Sequence, residues 1–99
     1  MPLLRVDMQD GFDNDVVTVR LDNGEEQRRD GVTTKEQVGY AGSIEFQVEP
    51  APVRLHVAIL TKGLSDTTDL EVSGDLYVGV AVSGDRMIFQ ISAEPLGYL

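Results

Sequence analysis

The sequence predicts an all-β antiparallel β-sandwich of about seven or eight strands, and three observations carry the prediction. Apolar residues recur at every second position and not at the 3.6-residue period of a helix. Gly, Pro, Asn and Asp punctuate these alternating runs at roughly the 8-to-12-residue spacing of sandwich strands. No window of about ten residues holds an apolar helical stripe, because Gly or Pro interrupts each candidate before three turns can form.

In chain order, residues 5–8 form a first short strand. Val17, Val19 and Leu21 then alternate with Val16, Thr18 and Arg20 and run into Asp22-Asn23-Gly24, where Asn-Gly supplies the positive φ angles of a type I′ hairpin turn. Residues 25–29 make the return strand, polar enough to be an edge. Thr33-Thr34-Lys35-Glu36-Gln37 carries an N-cap followed three residues on by Glu or Gln, so at most one helical turn forms before Gly39 ends it.

Ser43-Ile44-Glu45-Phe46-Gln47-Val48-Glu49 is the clearest half-buried strand, with Ile44, Phe46 and Val48 on one face. Pro50 and Pro52 remove two backbone donors, and Val53, Leu55, Val57 and Ile59 then alternate with Arg54, His56 and Ala58. Residues 69–72 are a short edge. Val72-Ser73-Gly74-Asp75 recurs ten residues later as Val82-Ser83-Gly84-Asp85, one strand plus one turn. Leu76, Val78, Val80 and Val82 oppose Tyr77, Gly79 and Ala81, apolar enough on both faces for a central strand, and residues 86–92 return from the Gly84-Asp85 turn as its hairpin partner.

The chain has 99 residues, 41% apolar and 25% charged, which bounds one folded domain over 1–99 with a single hydrophobic core. Seventeen acids against eight Lys and Arg leave a net charge of −9, which repels phosphate and anionic lipid, so neither nucleic acid nor a membrane is an expected partner. The absence of Cys removes disulfides, thiolate metal ligands and thiol nucleophiles. Met1-Pro2-Leu3-Leu4-Arg5 lacks the charged and apolar regions of a signal peptide, and a soluble, cytoplasmic protein is the expectation.

The architecture is similar to immunoglobulin-like and prealbumin-like sandwiches. The Cys-Trp-Cys core of true immunoglobulin domains is absent, so the resemblance is one of architecture and implies no function.

Asp7, Asp10, Gly11, Asp13, Asn14 and Asp15 form an oxygen-rich stretch before the Val16 strand, of the kind that can wrap Ca²⁺. It departs from the EF-hand pattern: with Gly11 at loop position six, Val6 and Met8 fall where the first and third ligands belong. Asp10, Asp13, Asn14 and Asp15 are the candidate metal ligands, and turn chemistry alone also accounts for their composition. Arg28-Arg29-Asp30-Gly31-Val32-Thr33-Thr34-Lys35 gathers three Arg and Lys where an anion could dock, although Glu25, Glu26, Asp30 and Glu36 can neutralise them in place. His56, the one histidine, is the only candidate general base near neutral pH, and its face is shared with Arg54 and Ala58. Leu96-Gly97-Tyr98-Leu99 and the smooth Tyr77, Gly79, Ala81 face suit either a last edge strand or a subunit contact, with a two-fold homodimer expected.

These readings converge on a non-catalytic binding or structural module that self-associates through sheet edges or faces and needs no cofactor. The alternative is a Ca²⁺-dependent binding module using residues 10–15. The third is a small hydrolase-like enzyme using His56.

Overall fold

The computed structural model describes residues 1–22, 24–35 and 37–97. Eight strands form where apolar side chains must reach a common interior: β1 (Leu3–Met8), β2 (Asp15–Leu21), β3 (Gln27–Val32), β4 (Gly42–Gln47), β5 (Ala51–Ile59), β6 (Leu64–Val72), β7 (Leu76–Ser83) and β8 (Arg86–Ser92). They make two four-stranded sheets, β4-β1-β7-β8 and β3-β2-β5-β6, stacked as a sandwich. A single 3₁₀ turn, Leu60–Lys62, links β5 to β6 and ends at Gly63, whose φ of 65° lets the chain reverse. No helix among the described residues is long and apolar enough to cross a membrane.

The core is the sum of the inward positions of both sheets. Leu4, Val6 and Met8 of β1, Ile44 of β4, and Val78 and Val80 of β7 are buried against Val17 and Val19 of β2, Leu55, Val57 and Ile59 of β5, and Leu70 and Val72 of β6. Each fully buried aliphatic side chain contributes about 1.5–3 kcal/mol, measured against a fully exposed reference.

Several local expectations change. Five of the six strand pairings are antiparallel, but β1 runs parallel to β7, with Val6 opposite Val78. Parallel neighbours need a long crossover, and here the intervening chain supplies it by building β2 to β6 first. The strand expected over residues 69–72 is β6, nine residues long, because its backbone ladder to β5 holds the polar stretch from Ser65 to Asp69 that apolar alternation does not mark. Its partner β5 begins before Pro52, which is tolerated because β2 stops opposite Leu55 and leaves that stretch of β5 paired on one side only.

At the β2–β3 turn the positive φ belongs to Asp22 (49°), while Gly24 takes an ordinary conformation and donates its N–H to the Leu21 carbonyl at 2.8 Å; Asn23 lies outside the described residues. The return strand accordingly starts at Gln27 and not at Glu25. No more than one helical turn forms near residues 33–37: the Lys35 carbonyl accepts the N–H groups of Val38 (3.1 Å) and Gly39 (2.8 Å), Gly39 ends the turn with φ of 66°, and Lys35 pairs with Tyr40 across it; Glu36 lies outside the described residues. Beyond β8, Pro95 and Leu96 lie beside Arg5, Asp7 and Tyr77 on the outer face of the first sheet, and Tyr98 and Leu99 fall outside the described residues.

Gly11 marks where the chain leaves β1. Its φ is 93°, and an added Cβ would stand 2.2 Å from the Val82 carbonyl oxygen. Gly74 has open space around it and no unusual φ. Gly11→Ala should therefore cost more than about 2 kcal/mol in urea unfolding, while Gly74→Ala stays within about 0.5 kcal/mol. Equal midpoints for the two variants would contradict the close approach at Gly11.

Candidate functional site

Two hollows, of about 610 and 460 Å³, lie side by side on the outer face of the β3-β2-β5-β6 sheet and share His56. Period two explains which side chains meet there, since Arg54, His56 and Ala58 all point away from the core that Leu55, Val57 and Ile59 fill. In register, His56 stands between Arg20 of β2 and Thr67 of β6, and Arg54 stands opposite Asp69. Arg54 Nε donates to Asp69 Oδ1 at 2.8 Å, and this hydrogen bond and charge hold the Asp69 carboxyl below its ordinary value. Asp22 closes one end of the hollow by accepting the Arg54 N–H on Oδ1 at 2.9 Å.

A hydrolase would need a hydroxyl on the His56 ring and a carboxylate orienting it. Thr67 stands directly opposite His56 but no side-chain hydrogen bond joins the two, and Ser65 and Asp69 are only its diagonal neighbours, about 7–8 Å away by sheet geometry. Asp69 is engaged by Arg54, and a guanidinium-bearing residue flanks His56 on each side, Arg20 across the ladder and Arg54 along the strand. The arrangement is a shallow face of alternating charge, wide enough to touch a partner and without an assembled nucleophile.

The four predicted calcium ligands share one loop but point in different directions. The Asp10 side chain lies against Gly39, and the Asp10 carbonyl accepts the Val82 N–H at 2.8 Å. Asn14, with φ of 50°, donates its N–H to Thr33 Oγ1 at 2.9 Å. Asp13 is exposed and gives its N–H to Asp15 Oδ2 at 2.9 Å. Asp15 itself is only 2% exposed. It accepts the Thr61 hydroxyl on Oδ1 and pairs with Lys62 Nζ at 3.2 Å through Oδ2. An ammonium thus stands where a cation would approach this carboxylate. Among the described residues, no three His, Cys, Asp or Glu side chains gather as a metal set.

The basic segment is similarly tied down. Arg28 Nε pairs with Asp30 at 2.8 Å, both exposed on one face of β3. Thr34 anchors the segment that follows, donating its hydroxyl to the Gln9 carbonyl and its N–H to Phe12 O at 3.0 Å, and accepting the Phe12 N–H at 3.1 Å.

Two features were not marked by the alternation. Asp7 is 2% exposed although its parity places it on the outer face of the first sheet. Arg5 Nε bonds it at 2.8 Å, and the same guanidinium reaches the Tyr40 hydroxyl at 3.3 Å and Glu45 at 3.8 Å. The Asp7 hydrogen bond raises the Arg5 guanidinium against the opposing effect of burial. The second is the rim of that sheet: Ile88 and Ile91 of β8 are 53% and 49% exposed. A strand with Met87, Ile88, Phe89 and Ile91 could have been singled out by its lack of any acid.

Comparison of the chain with known protein families, characterised proteins and solved structures finds no match.

Burial pushes the Asp15 carboxyl up, but the Thr61 hydroxyl, the Asp13 amide and the Lys62 ammonium together hold it below its ordinary value of 3.8. A depressed carboxyl adds stability that is present above 3.8 and is lost as pH falls through the lower folded value. Lys62→Met should lower stability at neutral pH by about 1–2 kcal/mol and make the acid-side loss smaller than in the parent chain. Urea midpoints at neutral pH and again below 3.8 measure both effects. Identical pH profiles would show that Lys62 does not hold Asp15.

Proposed function

We propose that this chain is a non-catalytic structural or binding module that acts by self-association through an exposed sheet edge, as a two-fold dimer. The observation that carries the reading is the composition of the four rim strands. A rim strand offers unpaired backbone N–H and C=O groups to any other strand, and folded proteins blunt such rims with charges, bulges or Pro. β3 has Arg28, Arg29 and Asp30 and a register shift against β2 between Asp15 and Val17. β6 has Asp66, Asp69 and Glu71. β4 carries Glu45, which a second copy would meet as a like charge.

β8 has none of these protections. Its sequence from Arg86 to Ser92 is Arg-Met-Ile-Phe-Gln-Ile-Ser, with its single charge at the turn end and two isoleucines half in water. For a chain of net charge −9, this is the rim along which two copies approach with the least repulsion. A reducing cytoplasm suits a module that needs no disulfide. The broad charged face around His56 stays solvated in such an assembly, because it belongs to the other sheet.

Sedimentation equilibrium tests the reading. The parent chain should show a concentration-dependent dimer, and Ile88→Lys, at a half-exposed position, should be monomeric, with the urea midpoint the parent has when dilute enough to be monomeric. A parent chain that stays monomeric to millimolar concentration, or an Ile88→Lys variant that dimerises as the parent does, would overturn it.

A further inference from the structure

We infer that the second copy joins β8 antiparallel and centred on Phe89, so that Phe89 faces Phe89 of the other copy and the two sheets fuse into one of eight strands; this rests on the reading of β8 as the contact edge. The register follows from the hairpin that precedes it. Gly84 and Asp85 alone separate Ser83 from Arg86, which face each other in the ladder. Gly84 has φ of 63° and Asp85 has no positive φ, the pattern of a type II′ turn with Gly at its first central position.

Such a turn closes on a hydrogen bond between its outer residues, Ser83 and Arg86. Bonded and non-bonded positions then alternate along an antiparallel pair. Arg86, Ile88 and Gln90 therefore bond to β7, and Met87, Phe89 and Ile91 turn their N–H and C=O groups toward the open rim.

In an antiparallel pair of identical strands, each residue must face one of the same bonding class, so the two-fold axis passes through a residue facing its own copy. Phe89 is the middle of β8. With the axis there, all seven residues of the strand are paired. Met87 faces Ile91, Ile88 faces Gln90, and Arg86 faces Ser92 of the other copy. Moving the axis to Met87 or Ile91 leaves part of each strand unpaired and brings the Gly84-Asp85 turn or the chain beyond Ser92 into the ladder.

The side chains agree with this register. Met87, Phe89 and Ile91 lie opposite Val82, Val80 and Val78, so they are on the core-facing side of the sheet. Across the axis they continue that apolar row, and Ile91, half exposed in one copy, is covered by Met87 of the other. No like charges face each other, since Arg86 meets a serine. The same exercise on β6 or β4 brings acids near the axis: Thr68, the middle of β6, is flanked by Asp66, Asp69 and Glu71, and β4 has Glu45 next to its centre.

The test is an isotope-filtered NOE experiment on an equimolar mixture of ¹³C-labelled and unlabelled chain, with amide exchange measured on dilute and concentrated samples. The register predicts an intermolecular Hα–Hα contact between Ile88 and Gln90, the closely approaching non-hydrogen-bonded pair. It also predicts that exchange at Met87, Phe89 and Ile91 slows by about tenfold or more on concentration, while Ile88 and Gln90 are already slow in the dilute monomer. A dimer whose intermolecular contacts join other positions of β8, or other strands, overturns the register and leaves self-association standing. A chain that remains monomeric overturns both.

Discussion

Sheet β4-β1-β7-β8 depends on a single strand. β1 is bonded to β4 on one side and to β7 on the other, and its Leu4, Val6 and Met8 are among the most completely buried side chains of the core. The ladder to β7 runs on past the strand, with Gln9 N–H on the Val80 carbonyl and Val82 N–H on the Asp10 carbonyl, both at 2.8 Å. At the other end the Leu3 N–H reaches Asp75 Oδ1 at 2.8 Å. Without β1, the β7–β8 hairpin and β4 would share no backbone bond, and neither hairpin nor single strand is stable alone in water. By taking the inner side of β7, β1 also forces β8 to the rim. The open edge that marks this protein is a consequence of where its first strand lies.

Charge sets that rim apart from the other three. The exposed pairs Arg54–Asp69 and Arg28–Asp30 contribute little to stability, because solvent screens them. The buried carboxylates of Asp7 and Asp15 are different, because each is held out of water and would lose its ion-pair partner if Arg5 or Lys62 were removed. Both are thus committed to holding a strand end or a sheet face in place. The described surface also carries a solvated, mixed-charge face around His56 and the apolar edge of β8. Repulsion among the excess acids penalises most ways of bringing two copies together, and β8 has no acid of its own.

Much of the fold was legible in the residues. Strict alternation from Ser43 to Glu49 and from Val53 to Ile59 is sufficient to place β4 and β5, since only period two puts all those apolar side chains on one face. The parallel pairing of β1 with β7 was not legible, because local periodicity fixes a strand's face and says nothing about its distant neighbour. β6 was half hidden, since its ladder is made by backbone groups that polar side chains do not reveal. The candidate site was less legible still. Composition grouped Asp10, Asp13, Asn14 and Asp15, whereas the Thr61 hydroxyl and Lys62, which decide where Asp15 points, come from the 3₁₀ turn that follows β5. The β8 rim was present in the sequence as an acid-free apolar strand, but only the strand order shows that no further strand among the described residues bonds to it.

Small-angle scattering on the concentrated protein tests the edge-to-edge assembly most directly, because the shape of a dimer reports which surfaces meet. One copy measures 33 × 30 × 20 Å between Cα atoms, with a radius of gyration of 12.7 Å. Two copies joined rim to rim add four strands along the strand-to-strand direction of the sheet and leave the thickness across the two stacked sheets unchanged. Such a flat, elongated particle is the predicted result. A doubled thickness, which is the mark of face-to-face stacking, or a radius of gyration that stays at the single-chain value at every concentration, would contradict it.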